Sequence, residues 1–311
     1  MPANKTYGAV LRELGDISSV GAAGAAAGMT LGNPCPAGQI VNFTSADAES
    51  GYYTYVPHSV YFAHNGSNSM IGRAITVLDS HTCDPNANIV AQCVIGIGSY
   101  QTFWVKGIDV NSTNLVSFKT DSIMSSPNTA ISVLRPTNDY RISGFVYIQV
   151  NSDSTVTFTA VIKGLDNTIA HGIHIHAYGD LMWDNGTSVG PHWKGANQTH
   201  GLPPADNREL GDLGNICVYD EDGVAYYKYS TSYSGTLSSA VNFVGRSIVI
   251  HAIRDSGNLS ALGARLAQGV IGITTNPIPT PLPNGLNFSS EPLVLLLLLL
   301  LLQLPLGQLQ Q

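Results

Sequence analysis

Charged side chains are scarce in this 311-residue chain, at 11%, and basic ones are scarcer still, with 14 Lys and Arg against 21 Asp and Glu. A formal charge of -7 and no basic stripe leave nothing to neutralise phosphates, which excludes nucleic acid as a partner. Cysteine is sparse as well: Cys35, Cys83 and Cys93 lie in the first third and Cys217 stands alone, so no dense disulfide framework exists. One bridge among the first three stays open, and Cys217, inside an apolar run, reads as a buried thiol. Few stretches carry a helical period. No signal-peptide pattern is visible at the start, where residues 1–5 are polar and Arg12, Glu13 and Asp16 follow. The leucine-rich run, residues 293–302, is ten residues. As a helix rising about 1.5 Å per residue it reaches only half of a roughly 30 Å hydrocarbon layer. With Ser289 and Ser290 before it, this run reads either as a lipid-anchor signal, and so as membrane anchoring through the tail, or as a low-complexity tail.

What the chain does have is glycine, 32 residues of it, and short runs of Val, Ile, Thr and Tyr between Gly, Asn, Asp and Pro clusters. That is the pattern of antiparallel β structure with many turns. Strands are expected over 144–150, 155–162, 225–229, 246–250 and 269–273, with turns at 151–154 and 220–223. Glycosylation sequons begin at Asn4, Asn42, Asn65, Asn111, Asn185, Asn197, Asn258 and Asn287. About half would arise by chance, and the excess points to an extracellular or cell-surface protein.

An internal repeat organises the chain. Arg12, Glu13, Leu14, Gly15, Asp16 recurs letter for letter as Arg208, Glu209, Leu210, Gly211, Asp212. In the same order, Ile71-Gly72-Arg73 answers Val244-Gly245-Arg246, and the run from Ala91 to Ile97 answers that from Ala267 to Ile273. These echoes divide the chain into an incomplete, degenerate unit over 1–98, a connector over 99–129, a complete unit over 130–275, and a Pro-rich linker with a Leu-rich tail over 276–311. On this alignment an insert near residues 21–28 and Cys35 swells the first copy. The segment around His174 has no upstream counterpart, so the first unit reads as truncated or decayed.

The complete unit carries the chemistry. His171, Gly172, Ile173, His174, Ile175, His176 aims His174 and His176 at one side of an extended strand while Ile173 and Ile175 go to the other. Two rings projecting together form half of a metal site, since neutral imidazole suits copper, zinc, iron or nickel. Downstream come His192, His200, Glu209 and Asp212 on a Gly/Pro/Asn-rich stretch, then His251 at the end of a β-like run. Five histidines and two carboxylates within about eighty residues outweigh the bland reading of a strand with surface histidines. His58, His64 and His81 have no such setting and read as surface or loop residues, and His171 also stands apart.

His171-Gly-Ile-His-Ile-His with Gly179-Asp180, Gly190-Pro-His192, Thr199-His200-Gly201, Leu210-Gly-Asp212-Leu-Gly-Asn215, Gly245-Arg246, His251 and Arg265-Leu-Ala-Gln-Gly-Val-Ile-Gly resemble the copper/zinc superoxide dismutase family, over about residues 130–275. The resemblance implies an antiparallel Greek-key β sandwich or flattened barrel, an all-β fold. It implies copper on His174, His176, His192 and His251, with His192 bridging to a second site completed by His200, Glu209 and Asp212. It makes Arg265 the guide for the superoxide anion, His192 a proton carrier, and Asp255 the carboxylate that links a copper histidine to a zinc histidine. Glu209 stands where the family has a zinc-binding histidine. Two histidines and two carboxylates can hold zinc, and the same Glu with a short loop between His251 and Arg265 also marks copper-only relatives. Gly186 and Gln268 replace the family's two disulfide cysteines, leaving packing around Trp183 and Trp193 to hold the loop. In the first unit Leu78 sits where His251 does and Ile89 where Arg265 does, so no metal is expected there, and Glu13 and Asp16 read as a solvated loop.

The resemblance thus implies a copper-dependent superoxide dismutase, an oxidoreductase, with zinc as a second metal. The competing readings are a non-enzymatic extracellular copper-binding or matrix protein on the same fold, and a bare interaction module.

Overall fold

A computed structural model describes residues 5–19, 39–44, 71–98 and 128–276, apart from 82–83, 85, 139, 219–222, 233–242 and 259–261. Most of the expected connector, the linker and leucine run, the 21–28 segment, Cys35, Cys83, His58 and His64 lie outside the described residues.

Two antiparallel sheets account for nearly all regular structure among the described residues. The N-terminal one contains β1 (Thr6–Leu11), β2 (Gln39–Thr44), β3 (Ala74–Leu78) and β4 (Ile89–Val94), in the order β2-β1-β3-β4. The C-terminal one contains β5 (Thr129–Pro136), β6 (Ser143–Val150), β7 (Thr155–Lys163), β8 (His171–His176), β9 (Asp212–Ile216), β10 (Val224–Ser232), β11 (Ser247–His251) and β12 (Arg265–Ile273), in the order β10-β7-β6-β5-β12-β11-β8-β9. Its two edges approach one another, where Val218 bridges Ala225 and the Tyr227 hydroxyl donates to the Leu213 carbonyl, so the sheet is a nearly closed barrel. The expected all-β architecture is the observed one. No helix among the described residues is long and apolar enough to cross a membrane.

Alternation builds the barrel core. Ile173 and Ile175 of β8, Ile248 and Ile250 of β11, and Phe158 and Ile162 of β7 are fully buried on the inner face. Phe243 fills the centre, edge-on to Phe158 and to Trp193. All five expected strands are present, β12 beginning four residues earlier than expected, at Arg265. The 151–154 turn forms as Asn151 and Ser154 close on each other and the Asp153 carboxylate caps the Thr155 amide. β5 and β9 gave no sequence signal; β9 carries Asp212, Gly214 and Asn215 in five residues, a composition that reads as a turn.

The N-terminal sheet corrects the repeat alignment. β11 pairs with β8 through Val249 opposite His174 and Ser247 opposite His176. β3, the counterpart of β11, pairs with β1 through Thr76 opposite Val10, and the Arg12 amide extends this ladder to the Ala74 carbonyl. Position by position, Val10 stands where His174 does and Arg12 where His176 does. The run ending in Gly15 and Asp16 therefore corresponds in space to that ending in Gly179 and Asp180, and not to Arg208–Asp212. Asp16 and Asp180 even make the same local turn, each accepting the amide of the residue two positions on. Nor is Asp16 a solvated loop residue. It is buried and accepts from the Thr274 hydroxyl and the Asn276 amide, while Glu13 is exposed.

Candidate metal centre

Strand pairing gathers residues that are far apart in the chain. In β8 all six residues are buried, so the imidazoles of His174 and His176 are enclosed on the face opposite the core. The β8–β9 ladder sets Asp212 opposite His174, β11 brings His251 alongside, and the β11–β12 ladder sets Arg265 opposite His251. An isolated bridge between His176 and His192 carries the intervening loop back over the strand. The result is two groups with convergent donor atoms, His176, His192 and His251 in one, and His174, His192, His200 and Asp212 in the other. His192 belongs to both. His174, expected with His176 and His251, falls in the second group, and its ring lies 5.0 Å from that of His251.

Hydrogen bonds fix which nitrogens are free. A carboxylate or carbonyl only accepts, so each ring nitrogen facing one carries the proton. His174 Nε2 donates to Asp255 Oδ2 at 2.8 Å, which leaves Nδ1 as a lone pair, buried and without a protein partner. His176 Nδ1 donates to the Gly190 carbonyl at 2.8 Å and turns Nε2 to within 3.4 Å of His251 Nε2. His192 Nδ1 lies 3.0 Å from Asp212 Oδ1 and 3.2 Å from Glu209 Oε2, which leaves its Nε2 free. His200 Nδ1 meets the same two oxygens at 3.1 and 3.6 Å, and its Nε2 donates to Asp255 Oδ1 at 3.0 Å. Asp255 thus ties His174 to His200, the link that the family resemblance implied.

Burial and charge set the titration. Burial pushes the His174 imidazolium down to about 4, more than Asp255 raises it. Burial, with His174, His192 and Arg265 adding like charge, lowers His251 to about 2. His176 falls well below its ordinary value, chiefly by burial. His200 moves the other way, because Asp255 and Asp212 outweigh its desolvation. Asp255 is held well below the carboxylate range: burial opposes this, but bonds from His174, the Gly257 amide and His200 prevail. Neutral, buried imidazoles at His174, His176 and His251, with the ionised Asp255 beside His174, suit a cation.

Beyond the predicted ligands, the structure adds two positioning residues. His171, set aside in the sequence, is buried and donates from Nδ1 to the His251 carbonyl at 2.9 Å. Asn215 clamps the backbone of Asp255 from both sides, at 2.9 and 2.7 Å. Both lie inside the motifs that carried the family resemblance, which was the only available signal. A solvent-open pocket leads to the centre, walled by His176, His192, His251, Lys194, Glu209 and Arg265. Arg265 is held there by the Gly186 carbonyl and, at 2.8 Å, by the Gly190 carbonyl that also orients His176. Gly190 has φ 76, and a Cβ would sit 2.6 Å from the Tyr178 ring, so only glycine serves both bonds.

Of the two tryptophans expected to hold the loop that carries these carbonyls, only one is packed. Trp183 is 55% exposed, while Trp193 packs in the core under Arg246. The buried Gln268 amide donates to the Trp183 carbonyl and, with Arg265, fastens the loop to β12. Cys93 is an exposed free thiol and Cys217 a half-buried one, less enclosed than expected.

The family model "Copper/zinc superoxide dismutase" matches residues 142–271. The chain is 35% identical to "Extracellular superoxide dismutase [Cu-Zn] 2" of Dictyostelium discoideum over 237 residues, 68% of this chain and 54% of that protein. It is 38% identical to the Brugia pahangi "Extracellular superoxide dismutase [Cu-Zn]" over 159 residues, 47% of this chain and 76% of the relative. With "Superoxide dismutase [Cu-Zn]" of Candida glabrata the figures are 40% over 156 residues, 47% and 97%. The chain spans about half the length of the Dictyostelium relatives, 54% and 52%.

Proposed function

Because the chain belongs to the copper/zinc superoxide dismutase family, we propose that its C-terminal unit disproportionates superoxide to dioxygen and hydrogen peroxide. His174, His176, His192 and His251 would hold copper, which when bound supplies the one-electron change that zinc cannot. The observation that carries this reading is the convergence of His176, His192 and His251, with His174 beside them, while Asp255, the Gly190 carbonyl and Asp212 hold the other ring nitrogens of His174, His176 and His192.

His192, His200 and Asp212 of the second group, with Glu209, fit zinc. Nδ1 of His192 and of His200 both face Asp212 Oδ1 and Glu209 Oε2, and the latter oxygen is buried without a hydrogen-bond partner. Two imidazoles and two carboxylates are an ordinary zinc donor set, and a divalent cation would offset the two negative charges. Glu209 is therefore assigned as the fourth ligand in place of the family's histidine.

The chain's own groups account for the rest. Arg265 sets a permanent positive charge beside His176 and His251, with Lys194 across the pocket, so a small anion is drawn to the imidazoles. His192, at the junction of both groups, can carry a proton into the pocket. The names of the Dictyostelium and Brugia relatives, with the sequons, favour an extracellular setting.

The test is metal analysis of the purified chain beside a superoxide assay. One copper and one zinc per chain with turnover is the expected result. Copper without turnover would transfer the assignment to the non-enzymatic copper-binding reading, and no copper would remove both.

A further inference from the structure

Residues 183–187 read Trp-Asp-Asn-Gly-Thr, and Asn185-Gly186-Thr187 within them is a glycosylation sequon. Of the eight sequons in the chain, it is the only one with an aromatic residue two positions before the asparagine. The structure folds these five residues into one tight turn. The Gly186 amide donates to the Trp183 carbonyl at 2.9 Å, and Gly186 takes φ 76 and ψ 5, a β-turn followed by a left-handed glycine. Trp183, Asn185 and Thr187 are all exposed around the buried Gly186, Trp183 at 55%. Asn185 Oδ1 accepts from the Thr187 amide at 3.0 Å and from the Thr187 hydroxyl at 2.7 Å. Both bonds fall on the oxygen, and none among the described residues engages Nδ2, the atom that a glycan would join.

We propose that Asn185 carries an N-glycan and that the Trp183 ring packs against its first sugar, so that turn and glycan form one unit. The apolar C–H face of an N-acetylglucosamine complements the negative face of an indole, and the contact takes apolar area of both out of water. Transfer forms a bond between Asn185 Nδ2 and C1 of the sugar, breaks the bond from C1 to the pyrophosphate oxygen of a lipid-linked oligosaccharide, and releases one proton from Nδ2, with no redox change. Because that donor belongs to the secretory pathway, the inference rests on the extracellular setting proposed above. The place of the turn ties the glycan to the metal pocket. Gln268 holds this loop to β12 at the Trp183 carbonyl, and the Gly186 and Gly190 carbonyls hold Arg265. A sugar on the Trp183 ring braces from the solvent side the loop that Gln268 fastens from within. Asn197 and Asn258, also exposed, have Gly195 and Ser256 two positions before them and offer a glycan no such platform.

The experiment produces the full chain in eukaryotic cells behind an added secretion signal and maps its glycopeptides by mass spectrometry. Asn185 should be occupied, and Thr187→Ala should empty it. Thermal unfolding then reads the stacking. An endoglycosidase that leaves a single N-acetylglucosamine should keep the melting temperature, whereas emptying the site by Thr187→Ala should lower it by roughly 2–4 °C, the shift that one aromatic contact gives in a domain of this size. In a Trp183→Ala background, where the exposed ring is removed without touching the core, Thr187→Ala should lower it by much less, and Trp183→Phe should restore part of the difference. An empty Asn185 would overturn the proposal, as would an equal shift with and without Trp183. Because the signal is supplied, neither result depends on where the chain normally resides, and metal content and turnover are read separately.

Discussion

The two sheets share a strand arrangement and differ in what it holds. The order β9-β8-β11-β12 in the C-terminal unit is matched by β2-β1-β3-β4, with the same pairing register between the inner strands. The arrangement survives in both because it depends on backbone amides and carbonyls, which side-chain drift elsewhere leaves alone. The metal centre depends on single side chains. Val10, Arg12 and Leu78 occupy the places of His174, His176 and His251, and no three groups able to hold an ion gather among the described residues of that sheet. A β scaffold thus keeps its shape through one set of positions and its chemistry through another.

The largest expected effect comes from making the C-terminal unit resemble the N-terminal one. His251→Leu copies Leu78, a residue already tolerated at that strand position. It should remove copper, measured by metal analysis, and lower the superoxide turnover by more than about 100-fold, beyond the 10–100-fold typical of losing a mere positioning partner. If the variant kept its copper and its rate, the assigned site would be wrong. A smaller effect is expected of Arg265→Ala. Copper should stay near the parental level while kcat/KM falls about 10-fold, the lower end of what focused charge contributes, and its dependence on ionic strength should flatten. An unchanged salt dependence would mean that the arginine serves only to hold the loop.

How much of this was legible in the sequence follows from the same division. The imidazole run of β8 and the spacing of His192, His200, Glu209, Asp212 and His251 carried the site, because metal ligands tolerate few residue types. Letter identity failed for the repeat. Arg12–Asp16 matches Arg208–Asp212 in all five letters, yet it takes the place in its sheet that residues 176–180 take in theirs, since strand register is set by which face is buried and by backbone pairing rather than by residue names. The supports of the centre, His171 on the His251 carbonyl and Gln268 on the Trp183 carbonyl, were illegible because each joins residues about 80 positions apart through a main-chain oxygen, which leaves no local pattern.

The smallest effect sharpens the comparison in the metal-free protein. His174 titrates near 4 and His251 near 2 in the folded state, against 6.5 for a free imidazole. Below 6.5 the unfolded chain takes up protons that the folded chain refuses, so stability is lost as the pH falls. Each such histidine adds a slope of about 1.4 kcal/mol per pH unit. His174, His251 and His176, which also lies well below its ordinary value, contribute between pH 6.5 and 4, and His174 stops contributing below that. Urea unfolding of the metal-free chain should therefore shift to lower denaturant steadily from pH 7 to 4.5, and His251→Leu, with one buried imidazole fewer, should show a shallower slope, closer to that of a sheet built with leucine at this position. Equal slopes for the two proteins would mean that His251 is protonated in the folded state, and that the neutral, buried cluster on which copper binding depends does not form without the metal.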